Sequence, residues 1–314
     1  MKRKLLLIFL HGFGDNIMAT PAVKELSKIH NVDIVIYKKT LADKLWSNLK
    51  FINKVYSIDL PYHPRYWNPI MFWLKDYWMV KKEIKKIVDL SQYDKIIFSK
   101  IYTLPHIVYN LAPFLLKRYH KIDQIAYDLG IDDLKNKKTL IKIPNKFIQK
   151  ADSFLKKHNI GPTDKIIVMH LLTESTAERD FPLPLAQKLV NTLNDEYDNL
   201  KFIILGSKYT WVAEFQRYSM HLKGSNIIYT FNNQENEDIL TGASLISKSK
   251  LFIGIDSGPF HIAGALHVNS IGIFRTNRIK SDQRKAYNEN IYCYDNKNID
   301  LTKIREKIKK LLYK

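Results

Sequence analysis

An alternation of short apolar runs with amphipathic stretches runs through this chain twice, and that repetition constrains its fold more than any other feature. In the first half Lys4–Leu10, Val32–Tyr37, Val55–Ile58 and Lys95–Phe98 read as strands, with helices over Pro21–Ile29, Leu41–Leu49 and a longer stretch around Phe72–Leu90. The pattern then restarts. Lys165–Met169, Phe202–Leu205, Asn226–Tyr229, Leu251–Ile255 and Ser270–Phe274 read as strands, and Pro184–Leu193, Thr210–Leu222, Asp238–Ser247 and Phe260–Leu266 as helices. Strands that alternate with helices imply parallel sheets covered by helices on both faces. Between the halves, residues 130–164 are polar, carry Pro144, Gly161 and Pro162, and hold one helical stretch, Asn145–Lys157. The spacing therefore predicts an α/β chain of two lobes, 1–160 and 161–314, closed by an amphipathic helix over 301–312 that Asp300 caps. A length of 314 residues suits two such cores better than one.

Composition narrows the class. The one cysteine, Cys293, allows neither an internal disulfide nor a Cys-based zinc site, which fits a reducing cytoplasm. Leu5–Leu10 is far shorter than the roughly 20 apolar residues of a membrane span. The basic Lys2-Arg3-Lys4 before it is not followed by a small-residue cleavage site, so the run reads as a buried first strand. The net charge is +19, and residues 1–150 hold 27 Lys/Arg against 13 Asp/Glu. That excess points to an anionic partner for the first half, the plain alternative being a generally lysine-rich composition. No zinc-finger or RNP-like pattern is present and the lysines are dispersed, so no nucleic-acid partner is expected.

Four segments could carry chemistry. Gly12-Phe13-Gly14-Asp15-Asn16-Ile17 lies between the first strand and the first helix. Gly12 and Gly14 suit a sharp turn near a ligand, but Ile17 stands where a dinucleotide fingerprint needs its third glycine. Asp15 is either a helix N-cap or a general base at the carboxyl end of a strand, where α/β crevices form. Asp256-Ser257-Gly258-Pro259-Phe260-His261 opens a helix after a strand. Its free N–H groups and dipole suit a diphosphate, with Ser257 donating, Gly258 permitting close approach and Pro259 fitting the first turn. His261 faces either that ligand or the core. The segment from His170 to Pro182 supplies Thr173, Ser175 and Thr176 as small donors and Arg179 as a phosphate grip, or else is a solvated loop. Tyr62–Trp78 gathers three of the five tryptophans beside basic residues, as either a lipid- or sugar-facing surface or a lobe-covering core segment. No Asp-x-Asp, Walker loop or His-Glu-x-x-His occurs, so neither a metal nor a cofactor is expected.

Taken together, Gly14-Asp15 with Thr20-Pro21, Arg179-Asp180-Phe181-Pro182, Phe202–Ser207 and Asp256–His261 resemble glycosyltransferase family 9, the lipopolysaccharide heptosyltransferases, in order and spacing along nearly the whole chain. The resemblance implies a GT-B fold of two Rossmann-like lobes facing a cleft, an acceptor-side first lobe and a nucleotide-sugar-binding second lobe. It also implies a final helix that packs back on the first lobe. It implies an inverting, metal-independent transfer of a sugar, heptose from ADP-heptose, to a lipopolysaccharide, lipooligosaccharide or related anionic lipid-linked glycan, on the cytoplasmic face of the inner membrane. Asp15 would be the base, and Thr173, Ser175, Thr176, Arg179, Asp256, Ser257, Gly258 and His261 would hold the donor. A non-catalytic nucleotide-sugar-binding module and a GT-B-like nucleotide-sugar 2-epimerase are the alternatives. The chain departs from the family at Phe9, where an Arg is common, at Phe181, where Trp is usual, and at Phe274-Arg275-Thr276-Asn277-Arg278, where a Phe-Gly-Pro-Thr-like run is common.

Overall fold

The computed structural model describes residues 2–60, 77–99, 121–172, 180–206, 222–230, 238–274, 291–295 and 297–313. Its chain divides into two compact units, Met1–Lys142 and Ile143–Lys314.

The first unit contains β1 (Arg3–Ile8), α1 (Phe13–Leu26), β2 (His30–Tyr37), α2 (Asp43–Trp46), β3 (Ile52–Ile58), α3 (Tyr77–Ile87), β4 (Lys95–Phe98) and α4 (Lys121–Asp128). Its strands are parallel in the order β3-β2-β1-β4. β1 lies inside because Leu5, Leu6 and Leu7 expose no surface. A central parallel strand has no solvent face and so carries a continuous apolar run.

Helix α1 begins eight residues before the expected Pro21. The amphipathic pattern placed the start at Pro21, and proline is at home in a first turn. Here Pro21 sits inside the helix, where it cannot donate to the carbonyl of Ile17. The hydroxyl of Thr20 donates to that carbonyl instead, at 2.7 Å, and its oxygen accepts the amide of Leu140 at 2.8 Å. The helix expected over 41–49 is a 3-10 turn, Lys38–Thr40, followed by the single turn of α2.

The second unit contains α5 (Asn145–Lys157), β5 (Lys165–His170), α6 (Leu183–Glu196), β6 (Leu200–Ile204), β7 (Ile227–Tyr229), α7 (Ile239–Ser247), β8 (Leu251–Ile255), α8 (Gly258–Ala265), β9 (Ser270–Phe274), β10 (Ile291–Asp295) and α9 (Leu301–Leu312). The sheet order is β10-β9-β8-β5-β6-β7, all parallel. β10 was not read from sequence, because a half-buried Tyr-Cys-Tyr edge strand gives a weak apolar signal. The helix expected over Thr210–Leu222 lies outside the described residues but for Leu222.

The lobe boundary falls at Lys142/Ile143, not at residue 160. α5 packs on α7, with Phe147 and Ala151 buried and Asp152 paired to Lys248 at 2.8 Å. It therefore belongs to the second unit. The final helix, α9, buries Ile304, Ile308, Leu311 and Leu312 in the second unit's core with Leu189, Leu193 and Tyr197. Asp300 does cap it, accepting the amides of Thr302 and Lys303.

Candidate active site

In both units the strand order reverses between the first and fourth strands, β1/β4 in one and β5/β8 in the other. Crevices for ligands open at the carboxyl ends of the strands at such switch points. The residues singled out from sequence and described here follow β1 and β8.

At the second switch point β5 ends in His170, and β8 runs through Asp256 and Ser257 into α8. Ser257 occupies the N-cap of α8 in extended backbone but makes no side-chain cap, and Pro259 fits the first turn. Its hydroxyl lies 3.0 Å from His170 Nδ1 and 3.3 Å from the carbonyl of Ile255. With the hydroxyl directed there, the first amides of α8 have no capping side chain from Ser257, and a helix start in that state suits an anion. Burial pushes the His170 imidazole down to about 4, so it is neutral near pH 7. Asp256 and His261 are both buried, with Oδ1 and Nε2 3.5 Å apart. His261 also meets the ring of Phe260 edge-on. Phe260 in turn packs on Phe274 at 4.9 Å, which ties the start of α8 to β9.

Thr173, Ser175, Thr176 and Arg179 lie outside the described residues, as do Arg275–Arg278 and most of the aromatic segment 62–78. The ends of the loop that carries Arg179 are described. Leu171 and Phe181 are fully buried, and the Phe181 amide donates to the Leu171 carbonyl at 2.9 Å. Both ends of that connection therefore sit beside the end of β5. Phe181 fills the second unit's core, so this aromatic position serves packing. A groove of about 750 Å³ lined by Asp152, Leu155, Asn159, Gly161 and Lys248 lies at the amino end of β5, away from these groups.

At the first switch point, Gly12 caps α1 with an extended backbone. Asp15 is thus not the cap. It is the third residue of the helix, is 6% exposed, and lies at the positive end of the helix dipole, which favours the carboxylate. Gly14 precedes it in the first turn. Asn16, fully buried, fixes the turn: its Nδ2 donates to the carbonyls of His11 and Gly12 at 2.8 and 2.9 Å, and its Oδ1 accepts Trp46 Nε1 at 2.7 Å. Sequence reasoning quoted Asn16 without weighing it. It also missed His11, Ser99 and Asp128, which the topology brings together, and gave no role to His170. Among the described residues no group of three or more His, Cys, Asp or Glu could hold a metal ion.

A family model described as glycosyltransferase family 9 (heptosyltransferase) matches residues 121–312. Among solved structures, the family 9 glycosyl transferase from Veillonella parvula is 16% identical with a TM-score of 0.73, over 99% of this chain and 97% of that one. The E. coli ADP-heptose lps heptosyltransferase II is 11% identical with a TM-score of 0.66, over 100% and 99%. The E. coli heptosyltransferase WaaC with ADP is 13% identical with a TM-score of 0.63, over 98% and 99%. A comparison with curated proteins gives no match. At these identities the likeness is one of fold, and the fold is the GT-B type of two α/β units with parallel sheets.

Proposed function

The chain belongs to glycosyltransferase family 9, and from that premise we propose that it is an inverting, metal-independent enzyme that transfers heptose from ADP-heptose to a lipopolysaccharide, lipooligosaccharide or related lipid-linked acceptor. The observation that carries this reading is the start of α8: a helix at a switch point whose N-cap serine directs its hydroxyl to His170 and Ile255. The diphosphate of the donor would accept from the α8 amides at Gly258 and beyond, with Arg179, Thr173, Ser175 and Thr176 as further donors. Asp256, paired with His261, would order the loop or meet the donor sugar.

Asp15 would act on the acceptor. As the acceptor hydroxyl attacks the anomeric carbon, the new C–O bond forms opposite the departing diphosphate, which inverts the centre. The hydroxyl proton passes to the Asp15 carboxylate, and the nucleoside diphosphate leaves with the electron pair of the broken C–O bond. Holding both substrates at attack distance supplies much of the acceleration.

The acceptor reading also gives the basic first unit a partner. α3 turns Val80 and Ile84 inward, while Trp78, Lys82 and Lys85 share its outer face at helical spacing, with Trp78 63% exposed. Aromatic rings with lysines suit an anionic lipid surface. No helix among the described residues is long and apolar enough to cross a membrane.

The test is a thermal-shift panel of ADP, GDP, UDP and CDP with their sugars. A ligand at 100 times its Kd stabilises the native state by about 2.7 kcal/mol. The reading expects ADP to shift the transition and ADP-heptose to shift it further. A preference for another nucleotide replaces the donor, and silence toward all of them removes the transferase assignment of this site.

A further inference from the structure

Leading into the turn that carries Asp15 is a polar chain, largely buried, that the transfer reaction as described does not use. Ser99 follows β4, and its amide donates to the carbonyl of Ile8 at the end of β1, at 3.0 Å. Its hydroxyl lies 2.6 Å from Asp128 Oδ2 and 2.8 Å from His11 Nε2. His11 and Ser99 are both buried. Ser99 has one proton to give. An ionised carboxylate can only accept, and a contact of 2.6 Å is the length of a charge-assisted O–H···O⁻ bond. The serine proton therefore goes to Asp128, and the bond to His11 must run the other way, with Nε2–H donating to the serine oxygen.

Asp128 is also unusually placed. It is the last residue of α4, at the negative end of the helix dipole, where a carboxylate is disfavoured. A residue that breaks a local rule and is met by a specific partner is more often serving a site than a fold. The other side of the His11 ring is set by Phe9, edge-on at 4.4 Å. The His11 carbonyl accepts from Asn16, the residue next to Asp15. The turn that carries Asp15 is thus held from both directions: through the His11 ring by Ser99 and Asp128, and through its carbonyls by Asn16 and Trp46.

We infer that Asp128, Ser99 and His11 form a proton-ordered positioning relay that sets the β1–α1 turn and with it the Asp15 carboxylate. None of the three need touch substrate. The inference rests on the reading of Asp15 as the base. A misplacement of about 1 Å at a reacting group costs on the order of 100-fold in rate, so loosening the turn should act on turnover rather than on donor binding.

The proton order is tested without activity, by long-range ¹H–¹⁵N NMR of the full chain labelled at histidine, with His11 assigned by His11→Gln. Nε2 of His11 should be protonated, and Ser99→Ala should move that resonance and leave His170 unmoved. An unprotonated Nε2 overturns the relay. The consequence is tested by ADP release from ADP-heptose with a lipooligosaccharide acceptor. Ser99→Ala should lower kcat about 10-fold or more with the KM for donor little changed and the melting temperature lowered by only a few degrees for the lost hydrogen bonds, and Ser99→Thr, which restores the hydroxyl, should recover most of the lost turnover. Equal kcat in wild type and Ser99→Ala overturns the inference, as does a loss that tracks melting temperature alone. Asp15→Ala separates the two readings: if it retains turnover the base assignment fails, and if it is dead while Ser99→Ala is normal only the relay fails.

Discussion

His170 should give the second unit a measurable dependence on pH. In the native chain its imidazole is held at about 4 by burial, against 6.5 for the exposed group. Above pH 6.5 the group is neutral folded and unfolded, and contributes nothing to the slope. As the pH falls from 6.5 toward 4 the unfolded chain takes a proton that the native chain refuses, so stability drops, and the full loss is reached below 4. At about 1.4 kcal/mol per pH unit the gap is worth about 3 kcal/mol in all, of which about 2 kcal/mol is lost by pH 5. His170→Asn keeps a polar group near the Nδ1 position, able to meet the Ser257 hydroxyl, but cannot titrate. Calorimetry of both proteins at pH 7.5, 6 and 5 is the assay. Comparison at each pH cancels other groups, including His158, whose burial and neighbour Lys157 also hold it low. The wild type should lose about 2 kcal/mol more than the variant between pH 7.5 and 5. Parallel curves would refute the reasoning, because they would mean that His170 is either solvated or charged in the native state.

Asn16→Ala strands the buried indole N–H of Trp46 and removes the side-chain donor from the His11 carbonyl, while the Gly12 carbonyl keeps the residue-16 amide, and it should destabilise the first unit by about 2–3 kcal/mol in denaturant titration. Gly272→Ala places a methyl group into the rings of Phe274 and Phe260, and should cost roughly 1–3 kcal/mol of stability and weaken any nucleotide-induced thermal shift, since Phe260 belongs to α8. Ile308→Ala, on the buried face of α9 in the second unit's core, should cost roughly 2–5 kcal/mol, read as a lowered melting temperature. Asp15→Asn should reduce transfer by roughly 100- to 10,000-fold while leaving the nucleotide thermal shift in place.

What could be read from the sequence is what local pattern encodes. The strands came through because a buried parallel strand is apolar along its whole length, as Leu5–Leu7 and Leu251–Ile255 are. Helix α1 was misplaced because Pro21 is a strong local signal, and its compensation, the Thr20 hydroxyl on the Ile17 carbonyl, is a side-chain geometry. The boundary at residue 142 was missed because α5 is amphipathic in either lobe, and only its contact with α7 decides which core it serves. Asp15 could be singled out but not distinguished from an N-cap, since that depends on where the first helical turn begins. His11, Ser99 and Asp128 had no local signal. Ser99 is 88 residues from His11 in the chain, and only the pairing of β4 with β1 makes them neighbours.

That pairing recurs, and the recurrence has physical content. In each unit the end of the first strand supplies a histidine and the end of the fourth a serine, and the two meet at the switch point: His11 with Ser99 at 2.8 Å, and His170 with Ser257 at 3.0 Å. The settings differ in charge. Ser99 is backed by the Asp128 carboxylate, which fixes the direction of its proton. Ser257 has the Ile255 carbonyl as its second neighbour among the described residues, and its histidine is held neutral by burial. A crevice rich in carboxylate suits removal of a proton from a neutral hydroxyl. One built from helix amides and a hydroxyl suits a dianion, and the Asp256 carboxylate at its helix start is paired with His261. If the assignment of roles to the two units is right, exchanging the charge settings should harm each in its own way. Asp128→Asn should slow turnover without moving the nucleotide-induced shift. Ser257→Asp, which adds a carboxylate at the start of α8, should abolish that shift at low salt and regain part of it as salt screens the repulsion. A nucleotide shift indifferent to Ser257→Asp would place the diphosphate somewhere other than the start of α8.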